Sequence, residues 1–232
     1  EIPGDEKKAL THYAYHIKAG KEIFAAEGAF GQYLICFRDF PVAIGITAGA
    51  REYLAADICL KYMKEAISEP CNEEQLEAAE KALRAKLNSL SLVQPEGAFR
   101  TARKEAAKLF DRKILFTENP RKVESVVLTK EGYRIKIEAV INGEQKTLYA
   151  SYKAWKRNNL YPDDFTKKYQ SVAYAMDAEA LYLSVGLINT SYKEEYCLWV
   201  NSEDKVIATW RPNVTYLPEE PDMVWKFTGT FE

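Results

Sequence analysis

Two histidines, His12 and His16, are the only imidazoles in a chain of 232 residues, and they stand four apart. On a helix that spacing lets two rings share one metal ion. Residues 5 to 27 have a helical apolar period, with Leu10, Ala14, Ile17 and Phe24 on one side, so both histidines fall on a helix, opposite that stripe. No Glu follows the first His as a hydrolytic zinc motif requires, and a third ligand would have to come from elsewhere, for example a carboxylate or Cys71. The pair therefore reads as two partly exposed helix residues, and neither a metal nor another cofactor is assigned.

A Ser-His-Asp or Cys-His nucleophile system would have to use one of those two rings, and no G-x-S-x-G elbow accompanies them. Neither a G-x-x-x-x-G-K-[ST] phosphate loop nor a G-x-G-x-x-G fingerprint is present. Glu195, Asp163 and Asp164 lie near predicted element ends, but no spacing singles them out among 34 acidic residues, so no catalytic residue is assigned. The cysteines, Cys36, Cys59, Cys71 and Cys197, lack the C-x2-C spacing of zinc and redox motifs. Two disulfides and four small buried thiols are both open readings. Two sequons, at Asn189 and Asn213, matter only in a eukaryotic secretory setting.

Aromatic side chains carry the remaining signal, because all four Trp and ten of the fifteen Tyr follow Arg112. Tyr and Trp supply rigid contact area with a polar handle, so Tyr192, Tyr196, Trp199 and Trp210 are candidates for a recognition face. The competing role for the same residues is to fill the core of a sheet.

The elements that would position these groups change character near Arg112. Before it, apolar residues recur at helical spacing: over residues 5 to 27, over about 44 to 67, from Asn72 onward, and over about 97 to 110. Asn72 and Gln75 form a capping-box pattern, and Leu76, Ala79, Leu83 and Leu87 follow it as an apolar stripe. Beyond Arg112 the period shortens to two. Asn142-Gly143 marks a two-residue hairpin turn that pairs Ile141 with Glu144, Ile137 with Leu148 and Ile135 with Ala150. Strands are expected at about 122 to 129, 180 to 188, 195 to 200, 205 to 210 and 223 to 231, with a helix inserted from Pro162 to about Ala175.

These readings predict an α+β protein in which an N-terminal helical bundle, residues 1–112, packs on a C-terminal antiparallel β-sheet, residues 113–232, as one compact unit. Each half carries 16 Lys+Arg against 17 Asp+Glu, which argues against a nucleic-acid partner, and no apolar run is long enough for a membrane-spanning helix. The expected function is non-enzymatic: an exported or cell-envelope protein that recognises a protein or a small apolar ligand through its sheet face or a cleft. The start at Glu1 is read as a trimmed or processed N-terminus. Two alternatives stand beside this: a cytoplasmic immunity, inhibitor or phage-encoded interaction protein, and a metal- or carboxylate-dependent hydrolase. Oligomeric state is not determined by the sequence.

Overall fold

The computed structural model describes residues 10, 12–50, 55–68, 72–97, 104–165, 167–214 and 223–232, and it corrects the α+β expectation. Strands make up most of the second half, and the first half holds five strands beside its helices. The chain divides into two compact units, Glu1–Val93 and Gln94–Glu232.

The first unit is a five-stranded antiparallel meander with one helix packed on it. Its strands are β1 (His12–Ala14), β2 (Ile17–Ala19), β3 (Ile23–Gly28), β4 (Gln32–Phe37) and β5 (Ala43–Ile46). No helix forms over the described part of residues 5 to 27, because Tyr15 and His16 both take positive φ, at 52° and 63°, and turn β1 back into β2. The helical spacing of Leu10, Ala14, Ile17 and Phe24 marks no common buried face: Ala14, Ile17 and Phe24 are exposed, and the inward positions of β3 are Ile23 and Ala25. Ile23, Ala25, Tyr33, Ile35 and Phe37 alternate inward from β3 and β4 and form a small core. Helix α1 (Ala55–Ser68) covers it with Cys59, Leu60 and Met63.

Helix α2 (Glu73–Ser89) begins where the capping pattern places it: Asn72 accepts from the Gln75 amide at 2.9 Å, and the Gln75 side chain accepts from the Asn72 amide at 3.1 Å. None of its residues is buried, so the Leu76, Leu83 and Leu87 stripe is not a core face among the described residues. Within the described part of the expected fourth helix, Lys104–Leu109 is a 3-10 segment. No described helix is long and apolar enough to cross a membrane.

The second unit is a β-barrel. Its strands are β6 (Lys113–Phe116), β7 (Val123–Glu131), β8 (Arg134–Ile141), β9 (Glu144–Tyr152), β10 (Lys156–Asn159), β11 (Tyr169–Met176), β12 (Ala180–Leu187), β13 (Lys193–Val200), β14 (Val206–Pro212) and β15 (Trp225–Phe231). Neighbours pair antiparallel in the order β10-β11-β12-β13-β14-β15-β6-β7-β8-β9, so β15 pairs with β6. The hairpin turn is as the sequence implies, with Asn142 and Gly143 at φ 51° and 76° and Ile141 opposite Glu144. The inserted helix expected from Pro162 to Ala175 does not form among the described residues; the second half of that stretch, from Tyr169, is strand β11.

The ends of the sheet meet at a seam of two parts. At one level β9 and β11 run parallel, with Ser151 opposite Ala173 and Tyr152 opposite Tyr174. Lys153 then turns the chain at φ 50°, and β10 fills the wall at the next level by pairing antiparallel with β11. Backbone pairing between β9 and β10 is replaced by a side chain. The buried amide of Asn158 accepts from Tyr149 N–H at 2.7 Å and donates to Tyr149 C=O at 3.0 Å. The same nitrogen lies 2.9 Å from Lys156 C=O. A barrel that closes leaves no open edge for another chain to extend.

Asn158→Leu removes both partners of Tyr149 while keeping a side chain of similar size. It is expected to cost on the order of 2 to 4 kcal/mol, because buried backbone groups lose their bonds. Urea denaturation measures the loss, and amide exchange at Tyr149 localises it. A change below about 0.5 kcal/mol with Tyr149 still protected would contradict the assignment of the seam to this amide.

Candidate functional site

Alternation along each barrel strand sends one set of side chains inward. Val126, Ile137, Ala139, Leu148, Val172, Leu183, Leu198, Ala208 and Phe227 belong to the interior cluster. At one end the 3-10 turn brings Leu109 against Ile114, Met176, Leu181 and Val206, and all five are inaccessible to solvent. That end is packed shut. Toward the other end the side chains leave a cavity of about 380 Å3, walled by Val126, Ile137, Leu148, Val172, Leu183, Leu198 and Phe227. Polar residues join this wall from the connection after β6, the turn after β8 and the segment before β11: Arg121, Lys122, Asn142, Tyr161, Asp164 and Lys167.

Arg121 is placed by local chemistry. Asn119 donates to Thr117 C=O at 2.9 Å and to Val123 C=O at 2.8 Å, and accepts from Val123 N–H at 3.1 Å, which fixes the loop carrying Arg121. A register shift between Val123 and Ser125 bends β7 where it enters the barrel. On β13, Glu194 and Tyr196 are two apart and share the inward face, while Lys193, Glu195 and Cys197 belong to the other face.

The three groups close a triangle. Arg121 Nη2 lies 3.0 Å from Glu194 Oε1, Arg121 Nε donates to Tyr196 Oη at 3.3 Å, and Tyr196 Oη donates to Glu194 Oε2 at 2.7 Å. The Glu194 side chain is 10% exposed, so its charge depends on these partners and not on water. Burial pushes the Tyr196 phenol well above its ordinary range, and the neighbouring Glu194 charge adds to the rise. Burial works against the Arg121 charge, but Tyr196 and Glu194 outweigh it and hold the guanidinium more firmly protonated. Tyr196 therefore serves as a neutral hydrogen-bonding group at physiological pH.

Of the four aromatic candidates, the structure brings two together. Tyr196 belongs to the triangle, and the Trp210 ring lies 5.4 Å from the Arg121 guanidinium carbon, on the strand opposite Tyr196. Trp210 also packs against Trp225 at 4.4 Å, and its buried indole N–H has no hydrogen-bond partner among the described residues. Trp199 is on the outer face of β13, with Lys226 Nζ 5.9 Å from its ring, and Tyr192 is exposed in the β12–β13 connection. These two are away from the cavity. His12 is exposed on β1, and His16 Nδ1 sits 3.2 Å from Tyr13 Oη. No cluster of three or more His, Cys, Asp or Glu suited to a metal occurs among the described residues. Cys36, Cys59 and Cys197 are free thiols, while Cys71 falls outside the described residues. Burial, with a smaller contribution from Asp177, pushes the Cys197 thiol up to about 11.

The outer wall has its own hollow of about 330 Å3, beside Pro95, Glu96, Tyr182, Cys197, Thr209 and Arg211. Its charged floor is internally paired, since Glu195 contacts Lys193 at 2.8 Å and Arg211 at 2.5 Å. Burial would raise the Glu195 carboxyl, and the two cations overcome that and lower it.

Sequence reasoning passed over Arg121 and Glu194. The available signal was Glu194-x-Tyr196 at strand spacing, which puts an acid on the same face as a chosen tyrosine. Removing one member of the pair strands a buried charge, so Arg121→Met and Glu194→Leu are each expected to cost roughly 3 kcal/mol or more. The double variant is expected to recover most of that loss in urea denaturation. Strictly additive losses would show that the two side chains are not coupled.

No family model matches the sequence, and no curated protein matches it. Among solved structures, lipid binding protein 8 of Caenorhabditis elegans aligns over 56% of this chain and 100% of its own, with 7% identity and a TM-score of 0.43. A fatty acid transporter, REP1-NXSQ, aligns over 55% of this chain and 98% of its own, with 12% identity and a TM-score of 0.41. The fatty-acid-binding protein of Manduca sexta aligns over 47% and 73%, with 12% identity and a TM-score of 0.35.

Proposed function

We propose that the barrel unit binds a small, largely apolar molecule in its interior and acts as a carrier or sensor of that molecule without transforming it. The observation that carries this reading is the cavity of about 380 Å3 inside a barrel whose opposite end is packed. A sheet closed by about eight or more strands has room for one small ligand, and ligand sites in proteins commonly fall in the range of roughly 300 to 1,000 Å3. An empty apolar wall exposes surface that a matching ligand would cover, at about 25 cal/mol for each Å2 removed from water. The interior also suits selection, since the few polar groups gather at one end and the remainder of the wall is aliphatic or aromatic.

This reading moves recognition from the outer sheet face to the inside of the barrel. An uncharged, polarity-sensitive dye such as Nile red reports the difference. Ala208→Leu narrows the cavity, and is expected to weaken dye binding at least tenfold while leaving the fold intact by circular dichroism. Trp199→Ala and Tyr192→Ser, both away from the cavity, are expected to leave it within about threefold. Loss of binding in Trp199→Ala with Ala208→Leu unaffected would place the site on the outer face and overturn the proposal.

A further inference from the structure

The polar end of the cavity bears on which apolar molecules can enter, and the inference rests on the interior-binding reading above. Arg121 is the cation set deepest against the aromatic wall, and by itself it would invite a carboxylate. It is already matched. Glu194 meets the guanidinium at 3.0 Å and receives the Tyr196 hydroxyl at 2.7 Å, so the anion position beside Arg121 is occupied by the protein. A ligand carboxylate arriving there must either displace Glu194, leaving a buried anion without its partner, or sit beside it and be repelled. The other charges on the lining offer little relief, because Lys167 Nζ lies 3.5 Å from Asp164 Oδ2 and Lys122 is exposed on the loop.

A hydroxyl meets none of these penalties. A guanidinium has five N–H donors, more than the two oxygens of Glu194 and Tyr196 take up, and each carboxylate oxygen has two lone pairs. A ligand hydroxyl can therefore accept from Arg121 and donate to Glu194 without disturbing the pair.

We propose that the cavity selects uncharged amphiphiles, an apolar body ending in a hydroxyl, over the corresponding carboxylates, and that the Glu194–Arg121 pair is the selecting element. Glu194 is a positioning and specificity residue here: it occupies the place a ligand anion would take.

The test compares dodecan-1-ol, dodecanoate and methyl dodecanoate, each displacing Nile red from the full chain at pH 8, where the acid is ionised. Wild-type protein is expected to bind the alcohol at least tenfold tighter than the acid, equivalent to about 1.4 kcal/mol. The methyl ester, uncharged but only an acceptor, is expected between the two. Glu194→Gln removes the competing anion, and is expected to shrink the alcohol-to-acid ratio to threefold or less by strengthening acid binding. Dodecanoate bound as tightly as the alcohol by wild type overturns the inference while leaving interior binding intact; so does a ratio that Glu194→Gln leaves unchanged. Should Glu194→Gln fail to fold, the wild-type order of the three ligands decides. If none of the three displaces the dye, the interior reading fails and the inference falls with it.

Discussion

The interior of the second unit exists because its wall closes, and closure rests on one gap shared by β9, β10 and β11. Two parallel residue pairs bridge it at one level, while at the next an asparagine side chain stands in for a strand partner. Antiparallel neighbours alternate in direction, so an odd number of strands around a ring must place one pair parallel. That pair is short here, and the chain supplements it with β10, whose own register to β11 spans Lys156 to Asn159. The amide of Asn158 suits this place because it offers a donor and an acceptor at the spacing of a peptide group. Without closure the inward faces of β8 and β12 would have no opposite wall, and the apolar residues they carry would face water.

A consequence of closure is that Glu194, at the cavity end, loses most of its contact with solvent, and Arg121 much of its own. Arg121 and Glu194 are retained there as a pair, and the pair is supported on one side by Tyr196 and flanked on the other by Trp210. Charge neutrality inside the cavity thus comes from the chain itself. Rigidity helps as well: the Asn119 bonds hold the arginine loop, and the β7 register shift sets its angle of entry. Leu109 and its neighbours are fully buried at the packed end, and the polar residues of the cavity wall lie at the other.

Much of the barrel was legible in the sequence where one face is wet. The β8–β9 hairpin alternates cleanly, and Asn142-Gly143 sets its register; the Asn72 capping box likewise marks the start of α2. Reading failed where both faces of a strand are covered. In β11, Val172 and Tyr174 enter the barrel while Ala173 and Ala175 are buried on the outside, where Gly97 lies so close to Ala175 and Met176 that a Cβ would clash. Alternation disappears in such a strand, and a preceding Pro-Asp-Asp looks like a helix start. In the first unit, three-residue strands are too short to show a period of two, so the spacing of Leu10, Ala14 and Ile17 resembled a helix. The site was half visible: aromatic enrichment led to Tyr196 and Trp210, but nothing local in the sequence joins Arg121 to Glu194, because closure of the barrel brings them together.

The central claim is that the ligand lies inside the barrel, and the most direct measurement is the set of nuclear Overhauser contacts from a bound, isotope-labelled dodecyl chain. Contacts to the methyl groups of Leu148, Val172, Leu183 and Leu198, with none to Trp199, are the predicted result. Contacts confined to Trp199, Tyr182 and other residues of the outer wall would contradict it.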